Sequence, residues 1–250
     1  MTTALAAPAL AGLDGLPFLD DAFAARRLLA LIAAVRYAQA RRRGLATGTS
    51  PAQAGAWVGP ARAYMLSTSA TPMPAQPLPP ARRQQVTQTL TQITAVRPQW
   101  RALLALPVRY ARLHPAQGAI SASSRAWPQH VLLADEAFTT GRELAEQMLH
   151  ELAHQWLYLI EDIWPLQRPG GPAATLPSGT RDRSPAEVLG AAHVAAVLVR
   201  FYRQQPTDWA APRIYVLTRY GSECLELAGT LSGHLTSEGT LIARHLKEAF

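Results

Sequence analysis

The apolar residues of this 250-residue chain recur mainly at the three- and four-residue spacing of amphipathic helices. The predicted helices cover residues 20–43, 82–106, 141–164, 185–205 and two further segments between 208 and 250. Pro98 should break or kink the second of them. Two short β-favouring runs, VRYARL and HVLLAD, lie between Pro107 and Asp135 and predict strands of a small sheet. The pattern therefore predicts a mainly α (α+β) fold.

A proline-rich stretch divides this pattern into regions. Five prolines fall in the fourteen residues from Ser67 to Pro80, a density that excludes helix and central strand. The sequence therefore predicts an N-terminal helical region over 1–66, a linker over 67–81 and a larger domain over 82–250.

The charge is basic, with 24 Lys and Arg against 17 Asp and Glu, for a net +7. Such a surplus favours an acidic partner such as a peptide or a nucleotide. A nucleic-acid binder is not expected, because aromatic residues make up only 7% and most fall in apolar helices. No stretch reaches about 18 consecutive apolar residues, and the N-terminus lacks the basic start of a signal peptide. A cytoplasmic protein without a membrane span is the expectation.

The chemistry is concentrated in the third helix, where residues 150–154 read His-Glu-Leu-Ala-His. Residues four apart lie one turn apart on the same helix face, so His150 and His154 can share one divalent cation. Glu151 can then reach a metal-bound water. The helix follows a predicted edge strand and opens with a capping-box pattern, Thr140 and Glu143. A polar line along an otherwise apolar helix needs partners, which a metal would supply.

Two histidines hold a metal poorly, so a third protein ligand is expected. Glu187 and His193 are the next candidates, and their six-residue spacing places them on different faces of one helix. Glu187 would give a gluzincin-type site, although the helix dipole already explains a carboxylate in the first turn. His193 lies in an apolar stretch where an unpaired imidazole is costly, and it is the favoured ligand.

The segment HELAHQWLYLIEDIWPL, the Pro/Gly-rich gap after it and SPAEVLGAAHVAAVLVRFYR together resemble a known family. This family comprises the HExxH-motif peptide-modification proteins of ribosomal peptide biosynthesis, which are classed as 2-oxoglutarate-dependent peptide β-hydroxylases. The resemblance covers about residues 130 to 205. It implies a zincin-like helical core, His150, His154 and His193 as iron ligands, and a precursor peptide as substrate. The family often has glycine after the third histidine, whereas this chain has Val194.

The same ligands fit two reactions. Zinc would activate a water with Glu151 as general base and hydrolyse a peptide bond. Fe(II) with open positions would take 2-oxoglutarate and O₂. A 2-oxoglutarate enzyme also needs a cation for the distal carboxylate, for which Arg183 and Arg200 are candidates, and Tyr158 is a possible co-substrate donor. Together with the resemblance, the motif predicts an Fe(II)/2-oxoglutarate-dependent peptide β-hydroxylase, with a zinc metallopeptidase of gluzincin type as the alternative.

Overall fold

A computed structural model describes residues 9–48, 50–67, 73–114 and 118–250. It divides into two compact units. The central unit is Ala25–Leu159, and the discontinuous unit combines the described residues up to Ala24 with Ile160–Phe250. The predicted linker over 67–81 falls inside the central unit, and its residues 68–72, like residues 1–8, lie outside the described part of the chain.

The described residues confirm a mainly helical fold with a small mixed sheet. In the central unit the helices are α1 (Ala25–Arg42), α2 (Pro51–Gly55), α3 (Pro60–Leu66), α4 (Pro80–Val96), α5 (Arg101–Leu104) and α6 (Gly141–Glu161), whose last two residues belong to the discontinuous unit. Pro98 ends the fourth helix as predicted, and the chain continues through a 3₁₀ turn, Pro98–Trp100, into α5.

The sheet has the order β1-β2-β4-β3, from strands β1 (Ala75–Gln76), β2 (Arg109–Leu113), β3 (Ser121–Ala122) and β4 (His130–Leu133). The two predicted β runs are confirmed as β2 and β4, which pair in parallel. The prediction that the strand before the motif is an edge strand is wrong. β4 lies between β2 and β3 and is buried along its whole length, which explains its unbroken apolar sequence. The edge on this side is β3, two residues long.

Helix α6 packs its apolar face on this sheet. Leu144 and Met148 share a buried cluster with Val131, Leu133 and Phe138. Further along α6, the buried Trp156 indole donates a 3.0 Å hydrogen bond to the Leu103 carbonyl. The apolar positions, spaced by three and four residues, thus determine which face of α6 packs on the sheet and which face carries the motif histidines.

Within the discontinuous unit, α7 (Pro185–Tyr202) packs against α8 (Thr207–Thr230) and α9 (Ser237–Lys247). Ser184 caps α7 in a capping box with Glu187, and Pro185 occupies the first turn as predicted. Helix α7 is long and apolar enough to span a membrane. In this structure 89% of its apolar window is buried against the rest of the protein.

The N-terminal segment, residues 9–24, belongs to the same unit and does not continue the pattern of α1. The helix predicted over 20–43 begins only at Ala25. Ahead of it, Asp14, Gly15 and Phe18 all have positive φ, so the chain turns sharply there. Gly15 is required there, since its φ is +121° and a Cβ would collide with the Asp20 side chain. The Asp20 carboxylate accepts a hydrogen bond from the Leu16 N–H at 2.6 Å, which closes the turn.

Candidate metal-binding motif

The two motif histidines lie side by side on α6. The ring centres of His150 and His154 are 5.0 Å apart with their planes inclined at 64°, and both side chains are half-buried. Two imidazoles that bind one ion tetrahedrally have ring centres about 5 Å apart, since each nitrogen lies about 2 Å from the metal. The spacing of the two rings therefore matches that of two imidazoles on one divalent cation.

Tyr158 extends this line by one more turn. Its ring stacks on His154 with centres 5.9 Å apart and planes inclined at only 14°. The predicted polar line on α6 is therefore present as a row of three rings. Stacking limits how far His154 can turn, so Tyr158 helps to orient the motif.

Glu151 is 3% exposed and points to the edge strand. Its Oε1 lies 2.6 Å from the Ser121 hydroxyl, which is also 2.7 Å from the Gln147 side-chain oxygen. A hydroxyl has one hydrogen, so Ser121 can donate to only one of these acceptors at a time. Gln147 in turn donates to Glu143 at 2.8 Å. The motif glutamate thus belongs to a polar network that joins α6 to β3.

Gln155 was not predicted to matter, yet it ties the motif helix to the central strand. It is 1% exposed, accepts the Gln129 N–H at 2.8 Å and donates to the His130 carbonyl at 3.2 Å. These hydrogen bonds stabilise the backbone at Gln129, whose φ is +56°. The Gln129 side chain also accepts a hydrogen bond from Arg36 and donates one to the Pro107 carbonyl. In the sequence, the only indication of this role is that Gln155, a polar residue, follows the motif histidine His154 in a largely apolar helix.

His193, the predicted third ligand, lies on α7 in the discontinuous unit and is fully buried. Its Nε2 is 2.9 Å from the Pro17 carbonyl oxygen, which can only accept, so this nitrogen carries the hydrogen. Burial lowers the pKa of His193 to about 4, against the opposing effects of the Pro17 carbonyl and Asp20. The neutral ring therefore keeps a lone pair on Nδ1.

That Nδ1 is buried and has no hydrogen-bond partner among the described residues. A ligating histidine commonly binds the metal with one nitrogen while the other donates to a backbone carbonyl. The tautomer and the orphaned lone pair of His193 fit that role. Within residues 9–48, 50–67, 73–114 and 118–250, no group of three or more His, Cys, Asp or Glu side chains is arranged to hold a metal ion. The third ligand stays a prediction.

Glu187, the competing ligand, is engaged at the start of α7. Its two carboxylate oxygens accept from the Ser184 N–H at 2.9 Å and from Arg183 at 2.8 Å. Partial burial alone would raise the pKa of Glu187, but these hydrogen bonds lower it. The helix cap thus accounts for this carboxylate.

The two arginines proposed for the co-substrate have different partners. Arg183 pairs with Glu187, and about two fifths of its side chain is exposed. Arg200 donates to the Phe18 carbonyl at 2.7 Å and pairs with Asp21 at 2.8 Å. Arg200 and His193 therefore both hold the N-terminal segment on α7, a role that helical spacing could not reveal.

No protein-family model matches this chain, and no curated protein is significantly similar to it in sequence.

Proposed function

We propose that the chain is a metal-dependent enzyme that oxidises a β-carbon of a ribosomally made peptide with Fe(II) and 2-oxoglutarate. The metal-binding part of this proposal is supported by the pair of half-exposed imidazoles, His150 and His154, whose ring centres lie 5.0 Å apart on one helix. His193 is proposed as the third ligand because its neutral ring has a buried, unpartnered lone pair. The oxidative chemistry rests on the resemblance of residues 130–205 to the peptide hydroxylases.

Bound ferrous iron would supply the oxidation: 2-oxoglutarate, O₂ and a peptide C–H give succinate, CO₂ and a peptide C–OH. One oxygen atom of O₂ enters succinate and the other enters the peptide. The protein's part is to hold the ion, the co-substrate and the peptide. Arg183 is the stronger candidate for the distal carboxylate, because its side chain is 41% exposed, whereas that of Arg200 is 24% exposed and binds the Phe18 carbonyl as well as Asp21. One unpaired cysteine, Cys224, and a need for ferrous iron suit the reducing cytoplasm.

Glu151 supports an oxidative role better than a hydrolytic one. A peptidase needs this carboxylate to take a proton from a metal-bound water. Here it is 3% exposed and faces the Ser121 hydroxyl. In an oxygenase Glu151 would instead hold α6 and β3 together beside the histidines.

A zinc metallopeptidase is the second candidate, and one observation favours it. Edge strand β3 runs beside Glu151, with Ser121 in hydrogen-bond contact with that carboxylate. An extended peptide that paired with this edge would lie next to the motif, as β-augmentation requires.

The test uses the full chain and needs no peptide. Protein reconstituted anaerobically with Fe(II) is exposed to O₂ and 2-oxoglutarate, and succinate is measured by mass spectrometry. We expect slow succinate release that disappears in His154→Ala and persists in His114→Ala, a matched change at an exposed histidine outside the motif.

The same protein loaded with Zn²⁺ is incubated with a fluorogenic peptide library. Cleavage that depends on zinc and is lost in Glu151→Gln, without succinate from the iron form, would establish the peptidase and reject the hydroxylase. Succinate formation that is equal in wild type and His154→Ala would reject the motif as its metal site.

A further inference from the structure

The net charge of +7 is distributed very unevenly along the chain. The central unit, Ala25–Leu159, carries fifteen arginines and five carboxylates, a net +10. The discontinuous unit carries nine cations and twelve carboxylates, a net −3. The basic character therefore belongs to the unit that holds His150 and His154.

Part of this charge forms one surface, which we call the arginine patch. It comprises Arg41, Arg42, Arg43, Arg62, Tyr64 and Met65. The end of α1 is joined to α3 here, because the Arg43 guanidinium donates to the Leu66 carbonyl at 2.8 Å. Arg62 lies over the Trp57 ring at 5.5 Å. All four arginines are exposed.

The patch also carries exposed apolar surface. Met65 is 54% exposed and Tyr64 is 39% exposed. Arg41 and Arg42 have no side-chain hydrogen bond or ion pair within the described part of the chain. Exposed cations without carboxylates, together with exposed apolar side chains, leave both kinds of surface available to a partner.

A short path joins the arginine patch to the motif within the central unit. Ser67, just after α3, donates to the Ala126 carbonyl at 2.8 Å, and Ser121 contacts Glu151 at 2.6 Å. Ala126 is the fifth residue after Ser121, a span of at most about 18 Å when fully extended. An extended peptide anchored on the patch can therefore reach the motif.

We infer that the arginine patch docks an acidic segment of the substrate peptide, with its apolar side chains on Tyr64 and Met65. The inference rests on the proposed function in taking the occupant to be that substrate. Charge complementarity requires a negative partner, and guanidinium groups pair well with carboxylates. A single exposed tyrosine cannot stack successive bases, so a peptide fits this surface better than a nucleic acid.

The experiment measures fluorescence anisotropy with the full chain, in EDTA and without 2-oxoglutarate. The probe is a fluorescein-labelled twelve-residue peptide of alternating Glu and Leu. Its control replaces every Glu with Gln, and a labelled twelve-nucleotide oligothymidine tests the other class of polyanion. We expect saturable binding of the Glu peptide, about tenfold weaker binding of the Gln peptide and weaker binding of the oligonucleotide.

Matched variants locate the site. Arg41→Gln/Arg42→Gln should weaken the Glu peptide by about fivefold, whereas Arg203→Gln/Arg244→Gln removes the same charge from exposed positions in the discontinuous unit and should change nothing. Met65→Ser should weaken it about threefold, against no change for the equally exposed Val216→Ser.

Three results would overturn the inference: no saturable binding of the Glu peptide, equal losses in the two double variants, or tighter binding of the oligonucleotide with the same dependence on Arg41 and Arg42. Because no metal is present, the outcome is independent of turnover. Succinate formation without peptide docking would reject only the patch, and docking without turnover would reject only the proposed reaction.

Discussion

Helices α6 and α7 both carry histidines on otherwise apolar surfaces, but the surroundings of these histidines differ. On α6, the half-buried His150 and His154 face each other along the helix, one turn apart. On α7, His193 is fully buried and bonds the Pro17 carbonyl, 176 residues away in sequence. The first arrangement follows from local spacing, whereas the second depends on which distant segment packs there. Ligand roles predicted from spacing are therefore better supported on α6 than on α7.

The largest effect is expected from removing the α6 pair. The double variant His150→Ala/His154→Ala should lose measurable binding of Fe(II) or Co²⁺, because no bidentate imidazole pair is left. Its free energy of unfolding without metal should change by less than about 1 kcal/mol, since both side chains are only half-buried. Calorimetric titration with Co²⁺ and urea unfolding in EDTA measure the two quantities. Co²⁺ affinity equal to that of His114→Ala would show that the ion binds elsewhere.

His193→Ala, in contrast, should lower the free energy of unfolding. It deletes a buried ring and leaves the Pro17 carbonyl without a donor, which should cost about 3 kcal/mol of unfolding free energy. His193→Gln can still donate to that carbonyl and should recover much of this loss. If His193 is also a metal ligand, Co²⁺ affinity falls in both variants. Loss of stability with unchanged Co²⁺ affinity would assign His193 solely to the N-terminal segment.

The pH dependence of folding distinguishes the two helices further. His193 has a pKa of about 4 when folded and about 6.5 when unfolded, so the unfolded chain binds the proton first as the pH falls. Its contribution is therefore fully present above about pH 6.5 and is lost progressively down to about pH 4, by up to about 3 kcal/mol. Urea unfolding in EDTA at pH 7.5, 5.5 and 4.5 should show a steeper decline for wild type than for His193→Gln.

The comparison of wild type with His193→Gln isolates this group. Asp20 and His245, which pair at 2.8 Å and act electrostatically on His193, are retained in both proteins. Parallel declines in the two proteins would contradict the low pKa and the buried neutral ring.

The sequence predicted what depends on neighbours along the chain. The period of α6, the stop at Pro98 and the place of Pro185 in the first turn of α7 are all local, and all are confirmed. The position of β4 in the sheet was predicted wrongly, because the two-residue strand β3 that covers it leaves no recognisable pattern.

The partners of polar side chains were also beyond prediction. Arg200 was read as a co-substrate candidate from its position two turns after His193, but its contacts are Phe18 and Asp21. Phe18 has a φ of +66°. A positive φ at a phenylalanine has no local sequence signal, so neither the turn nor its arginine could be deduced.

Variants of Arg183 and Arg200, the two co-substrate candidates, should separate a structural from a co-substrate role. Arg200→Ala removes a hydrogen bond to Phe18 and the pair with Asp21, and should cost about 1–2 kcal/mol of unfolding free energy. Arg183→Ala breaks a partly exposed pair with Glu187 and should cost less than about 0.5 kcal/mol. Arg183→Ala should nevertheless raise the apparent KM for 2-oxoglutarate in the succinate assay. If only Arg200→Ala raises that KM, the co-substrate assignment belongs to Arg200.

The smallest effect concerns two neighbouring serines beside α6. Ser121 contacts both Gln147 and Glu151, so Ser121→Ala should cost about 1 kcal/mol of unfolding free energy and loosen the motif glutamate. The Ser123 hydroxyl is buried without a partner in the described chain, so Ser123→Ala should be neutral or slightly stabilising. Urea unfolding compares two removals of the same atom at positions two residues apart. If both variants are neutral, the network through Ser121 does not hold Glu151, and the motif is oriented by the apolar face of α6, by Gln155 and by the stacking of Tyr158 on His154.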